Sequence, residues 1–425
     1  MNKRVVITGL GIIASNGTGV PAFLDAIRNG RSGIRFLQEL SDLKFACQVG
    51  GIPDISQQNA IDFFNKYHFT DAGNNVKYSV LAAAEAWTDA GLVIPDTLGS
   101  DTDYDTGVIV GSGVGNADLF SDRIIPLISN SNVRRLRSNI AEFTMFCAAS
   151  ANISFLLALG NQVSANSSAC STGAESIILG AERIRQGQAK RMVVGSSEIA
   201  SPYVWGCFDS MRVLCRIYNQ TPEAASRPMS ATAAGFVPSA GAGMLILEEY
   251  ESAIKRNANI YAEIVGYSLN SGGQRNGGTM QAPSPVGVQR CMKDAITDAG
   301  IKNDDIDAIC GHLSSTMADS LEIGNWVTTL NRKGNDFPYI NSLKSITGHG
   351  LGAAGTIETI AAVLQLKYNF LFPSLNCEDL NPEIEKLIST ERIPMKTMEN
   401  AGVNIIAKAS FGFGDINSCL IVKRL

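Results

Sequence analysis

Asn166-Ser167-Ser168-Ala169-Cys170-Ser171-Thr172-Gly173-Ala174-Glu175 is the stretch whose reading decides the fold. Small and hydroxyl residues run into Cys170. A helical pattern follows from Ser171 to about Arg185, with Ile177, Ile178, Ala181 and Ile184 on one stripe and Gly187 closing it. Met192-Val193-Val194-Gly195 then reads as a strand. Strand, tight turn, helix and strand in succession place Cys170 at a helix N-terminus. Unpaired N–H groups and the helix dipole there favour thiolate over thiol, so the stretch predicts a pKa below the ~8.5 of a free cysteine. The same N–H groups are placed to stabilise an oxyanion on a thioester attached to the sulfur. A buried cysteine that only fills space is the plainer alternative.

The 425 residues have room for two domains or one large double unit. An apolar content of 45% with 41 glycines and 18% charge fits a tightly packed α/β enzyme. A net charge of −5 argues against nucleic acid as a general partner. The nine cysteines have no C-x-x-C spacing, so neither a zinc site nor a disulfide framework is expected, and a reducing cytoplasm is the natural setting. Asn2-Lys3-Arg4 before Val5-Val6-Ile7 resembles a signal-peptide start, but the apolar run breaks at Thr8-Gly9. No apolar run is long enough to span a membrane.

Arg4–Thr8 reads as a strand ending at Gly9-Leu10-Gly11, and Phe36–Phe69 as an irregular excursion that holds a structural His68. Ser201–Pro238 reads as a long, loop-rich segment. Residues 252–425 repeat the strand–helix alternation of residues 1–251, which predicts two halves of a duplicated α/β unit. The first half would carry the cysteine. The functional site would lie where strand C-termini of both halves meet.

Two of the three histidines, His312 and His349, follow strands Ile306–Cys310 and Ile340–Lys344 in glycine-bearing turns, where exposed side chains converge. Lys344 and Glu322 lie close enough in sequence to predict a partly buried pair that fixes the imidazoles. Gly350-Leu351-Gly352-Ala353-Ala354-Gly355 matches G-x-G-x-x-G, yet no acidic residue ends the next apolar segment at Phe372-Pro373-Ser374. Close helix packing is the better reading. Asn132-Val133-Arg134-Arg135-Leu136-Arg137 is the densest basic cluster and predicts either a solvated helix end or a docking patch for an acidic partner.

Four groups of residues carry a resemblance. They are Ser168–Gly173, His312 with Ser314-Ser315-Thr316, Lys344–Gly355, and Phe411-Gly412-Phe413-Gly414. Together they resemble the elongating β-ketoacyl-acyl-carrier-protein synthases of the thiolase superfamily. Val5–Ile12, Tyr218–Arg227 and Ile260–Tyr267 also fit, and the last two look closest to the bacterial type I branch. The resemblance spans essentially the whole chain. It implies a thiolase-like fold with duplicated α/β halves in five layers, αβαβα. It further implies a homodimer, or a heterodimer with a related synthase.

The implied activity is decarboxylative condensation in fatty-acid or specialised polyketide or polyene elongation. Cys170 would take an acyl chain from acyl carrier protein, and the enolate of decarboxylated malonyl carrier protein would attack it. His312 and His349 would contact the malonyl thioester carbonyl, with Lys344 completing the catalytic set. Phe411 would supply an oxyanion N–H beside that of Cys170 and gate the acyl channel. Ser314 and Thr316 would hold the pantetheine arm, Glu322 would belong to the charged surroundings, and Arg134, Arg135 and Arg137 would meet the carrier protein. No metal or cofactor is implied beyond the carrier's phosphopantetheine. The chain departs from the family pattern at Leu313-Ser314, at Ser230–Ala234, at Ala409 and at Asp415-Ile416. A non-catalytic chain-length partner of another ketosynthase and a coenzyme A-dependent thiolase using Cys419 as its base are the alternative readings.

Overall fold

The computed structural model describes residues 3–96 and 99–425. Ten strands lie along one continuous path of pairing. The first five are β1 (Val5–Ala14), β2 (Thr106–Gly111), β3 (Val163–Ser164), β4 (Arg191–Glu198) and β5 (Gly241–Glu249). The second five are β6 (Ala262–Ser271), β7 (Ala308–Cys310), β8 (Tyr339–Asn341), β9 (Ile405–Gly412) and β10 (Ile416–Lys423). Each set has the spatial order third, second, fourth, fifth, first. In each, the second strand runs parallel to both its neighbours, and the remaining pairs are antiparallel. The halves join where β1 pairs with β6 through Val5, Val6 and Ile7. Identical order and direction in both halves is the duplication expected from the repeated alternation. The short helix Tyr250–Lys255 connects them.

The long helices are α1 (Asn74–Asp89), α2 (Thr172–Arg185), α3 (Pro285–Ala299), α4 (Ala318–Leu330) and α5 (Ala354–Tyr368). Helix α1 covers the outer face of the first half, and α3 and α4 cover that of the second. Helices α2 and α5 pack on each other between the two half-sheets, which completes five layers. Helix α5 is buried from Ala354 through Leu366, as befits a helix enclosed on every side.

The central crossing is tight because glycines face each other. A Cβ on Gly355 would lie 2.5 Å from the Ala174 nitrogen, and one on Gly173 would lie 2.6 Å from the Thr356 nitrogen. The G-x-G-x-x-G stretch therefore serves helix packing, as its reading predicts. Three boundaries differ from expectation. Strand β1 runs past Gly9 and Gly11 to Ala14, because α1 presses its backbone onto those glycines and a turn there has no cause. Ser201–Pro238 contains the helix Pro202–Ser210, with Trp205 buried beneath it. The strand before Lys344 ends at Asn341, and Lys344–Thr347 forms a single helical turn. Among the described residues, no helix is long and apolar enough to cross a membrane.

Overpacking a rigid crossing costs about 1–3 kcal/mol. Gly355→Val should therefore lower the thermal unfolding midpoint, whereas Gly99→Ala, in an exposed turn with open space around it, should shift it far less. Calorimetry of the two variants checks this.

Candidate active site

The C-terminal ends of strands from both halves converge on one cavity of about 610 Å³. Cys170 precedes α2, after the third strand of the first half, and His349 precedes α5, after the third strand of the second. They occupy equivalent positions in the two halves. His312 follows β7, and Phe411–Gly414 ends β9. The Cys170 sulfur and one ring nitrogen of each histidine lie within 4.8 Å of one another. The two imidazole centroids are 5.2 Å apart at 81°.

The cysteine turn is tightly held. Ala169 adopts a left-handed φ of 50°, and a single 3-10 turn, Ala169–Ser171, leads into α2. The Ser168 N–H donates to Thr172 Oγ1 at 2.9 Å, Thr172 Oγ1 donates to the Ala169 carbonyl at 2.7 Å, and Ser171 Oγ donates to the Ser410 carbonyl at 3.1 Å. Gly412 admits the opposing strand, since a Cβ there would sit 2.9 Å from the Ser168 carbonyl oxygen. The N–H that reaches the sulfur belongs to Phe413. Phe411, expected to supply the oxyanion N–H and to gate the channel, lies in β9 in register with Asn417, and its ring lines the cavity 6.1 Å from that of His312. The half-buried Phe413 ring packs 6.2 Å from Phe208 on the cavity wall.

Hydrogen bonds fix both imidazole tautomers. His349 Nδ1 accepts from the Leu351 N–H at 3.1 Å. His312 Nδ1 faces the Lys344 ammonium at 3.4 Å, and the same ammonium donates to the His312 carbonyl at 2.5 Å. Each ring therefore carries its proton on Nε2 and presents a donor. Burial, Lys344 and Lys408 hold both pKa values well below the ordinary histidine range, with the His349 ring adding to the restraint on His312. By spacing alone Cys170, His312 and His349 could grip a metal ion, but a protonated Nε2 is not a ligand and the adjacent ammonium repels a cation.

The thiol runs against expectation. Burial pushes the Cys170 pKa up to about 11, opposed by Lys344 and by the Phe413 N–H. Cys170 is only partly exposed, at the wall of the cavity, and a helix terminus offers at most about 2 kcal/mol against the desolvation of a thiolate there. The resting group is a thiol.

Lys344 does not pair with Glu322. It pairs with Glu358, inside α5, which also takes Lys408 of β9 at 2.8 Å. Glu322 instead accepts the N–H groups of His312 and Leu313, both at 2.8 Å, so it positions the histidine backbone. Burial raises its pKa to about 7 against those two bonds. Glu358 and Lys408 are missed by the sequence reading, although a lone charge in each apolar run, Ile357–Ile360 and Ile405–Ala409, is the signal of a buried pair. Glu198, at the end of β4, was also passed over. It lines the cavity, accepts the N–H groups of Gly113 at 2.9 Å and Gly352 at 3.1 Å, and is raised by burial to about 7.

Ser314 and Thr316 line the cavity, with their hydroxyls 3.1 Å apart, and exposed Met317 and Leu321 stand at its mouth. The unexpected Asp415 is buried. It accepts the Ser284 N–H at 2.8 Å and the Gln274 N–H at 3.0 Å, anchoring the loop whose Gln281, Ala282 and Pro283 form another wall. Arg134 and Arg135 on the turn Val133–Leu136, and Arg137 just after it, are exposed and do not line the cavity, and Arg137 pairs with Asp71. Cys419 is buried within β10 opposite Ala409, off the cavity, so it cannot serve as a thiolase's second cysteine. His68 is exposed, outside the site.

A duplicated five-layer fold with a cysteine and two histidines at the meeting of its halves defines a condensing enzyme of thiolase-like architecture. The chain belongs to the β-ketoacyl synthase family: residues 2–253 match its N-terminal domain and residues 261–378 its C-terminal domain. It is 35% identical to 3-oxoacyl-[acyl-carrier-protein] synthase 1 of Haemophilus influenzae, over 99% of both chains. A β-ketoacyl synthase from Burkholderia phymatum superposes at a TM-score of 0.88 with 29% identity, covering 100% of both chains. A ketosynthase assembly of a type II polyketide system, solved in complex with its acyl-carrier protein, superposes at 0.86 with 27% identity over 100% of both chains.

A thiol at about 11 gives an alkylation rate proportional to hydroxide over the neutral range. Iodoacetamide labelling of Cys170, followed by peptide mass spectrometry, should climb without a plateau from about pH 7 to 10. A plateau near pH 7 would restore the depressed pKa first expected.

Proposed function

We propose that this protein is a 3-oxoacyl-[acyl-carrier-protein] synthase that joins an acyl chain held on Cys170 to the two-carbon unit of malonyl carrier protein. The observation that carries this reading is one sulfur within 4.8 Å of ring nitrogens of two imidazoles whose free donors face the same apolar cavity. In the first step, the Cys170 sulfur attacks the incoming acyl thioester. The carbonyl oxygen gains charge between the Cys170 and Phe413 N–H groups, and the pantetheine sulfur leaves with the thiol proton. In the second, malonyl carrier protein loses CO2, and its carbonyl oxygen becomes an enolate facing the Nε2–H groups of His312 and His349. Donors aimed at developing charge favour the transition state over the ground state. The enolate carbon then attacks the acyl-cysteine, and the Cys170 thiolate departs and takes up a proton. The apolar wall of Phe208, Val213, Phe236 and Phe413 suits the acyl chain, and the Ser314 and Thr316 hydroxyls suit the amides of the pantetheine arm.

The partner is an acyl carrier protein, whose acidic surface suits exposed Arg134 and Arg135. The functional unit is a homodimer, because edge strand β3 leaves Val163, and neighbouring Phe155 and Phe146, open to solvent.

Mass spectrometry separates the two half-reactions. Cys170→Ala should accept no acyl group. His349→Ala should still acylate, while CO2 release from malonyl carrier protein falls by about 10²–10³-fold, the usual loss for one oxyanion donor. An acylated Cys170→Ala protein sinks the reading. In steady-state assays at low salt, Arg134→Glu with Arg135→Glu should raise KM for the carrier protein and leave kcat in place.

A further inference from the structure

Two buried lysines share one buried carboxylate. Lys344, Lys408 and Glu358 are exposed by 1%, 0% and 2%. Lys408 Nζ meets Glu358 Oε2 at 2.8 Å and donates to Ser410 Oγ at 2.8 Å and to the Ala409 carbonyl. Lys344 takes the other Glu358 oxygen and spends its remaining reach on the His312 carbonyl and Nδ1. The cluster thus carries an extra positive charge in the protein interior. Stability does not require it, since Lys344 and Glu358 alone would be a neutral pair, and burying a further charge is costly.

The other groups facing Lys408 offset its charge only in part. Cys310 of β7 and Cys419 of β10 have pKa values raised by burial, that of Cys310 to about 12. Glu322 of α4, bonded to the His312 and Leu313 backbone, also faces Lys408 and offsets part of its charge. What remains in the field are the two rings, His312 and His349, and both register Lys408 as well as Lys344.

We infer that Lys408 is a positioning residue: by occupying the second oxygen of Glu358 it leaves the Lys344 ammonium free to face His312, and its own charge keeps both rings neutral, each with an Nε2–H donor. The inference rests on the reading above that those donors face the enolate. A protonated ring would have to put a proton on Nδ1, against the Lys344 ammonium or the Leu351 N–H, and so lose its bond.

Three histidines make the test direct. In the full-length protein labelled with 15N-histidine, imidazole signals are followed from about pH 4.5 to 8. In the natural protein, His312 and His349 should stay neutral and Nε2-protonated. In Lys408→Met, their titrations should move up by about one pH unit, the effect of one nearby charge. The acid limb of malonyl decarboxylation should move with them, and kcat should fall by about tenfold, less than the loss of a direct donor, with KM for malonyl carrier protein unchanged. Should Lys408→Met not fold, Lys408→Gln keeps a donor for Ala409 and Ser410 without the charge. Unmoved histidine titrations in a folded variant overturn the inference, as does an equal loss of activity at every pH. A protein without condensing activity whose titrations shift as described refutes the synthase reading alone.

Discussion

The close crossing of the two central helices governs this molecule. Gly173 and Gly355 let α2 and α5 approach to backbone contact, and each helix begins just beyond a reactive side chain. Cys170 precedes one and His349 precedes the other, so their separation is set by helix packing rather than by loops. His312 and Phe413 then enter from the neighbouring strand ends of the second half. A site assembled from rigid elements holds its donors in place before substrate arrives, which is the condition for electrostatic stabilisation of developing charge.

The electrostatics divide the labour. Burial keeps the thiol protonated, and it also keeps the imidazoles neutral. Positive charge sits behind His312 rather than in front of it, because Lys344 approaches the ring from its Nδ1 side. An oxyanion in front of the rings therefore meets oriented N–H dipoles, while the ammonium charge is already anchored by Glu358. This arrangement needs little reorganisation when charge appears.

Much of the site is written locally. A cysteine or histidine in a glycine-bearing turn after an apolar strand announces itself, and Cys170, His312 and His349 were all legible in that way. The duplicated topology was legible from the repeated alternation. Partnerships made across the fold were not. Lys344 was assigned Glu322, ten residues from His312, whereas its partner Glu358 lies one helix away and is reached only through the packing of α5. Phe411 and Phe413 stand in the same repeated letters, and which of them turns its N–H to the sulfur depends on where the β9–β10 ladder ends. The thiol's pKa was misjudged because a helix dipole can be read from sequence, while the surrounding protein that excludes water cannot.

The shared middle layer also shapes how such a chain reaches its native state. During synthesis, the first half emerges with the inner faces of β1, β4 and β5, and much of α2, lacking the helix α5 that covers them from the second half. Domains made first usually fold first, yet here the leading portion has only its outer α1 core to rely on and presents a broad oily face. The β1–β6 junction and the α2–α5 crossing both join residues far apart in sequence, which slows folding. Chaperone dependence during translation, and poor solubility of the isolated first half, are built into the same contact that assembles the site.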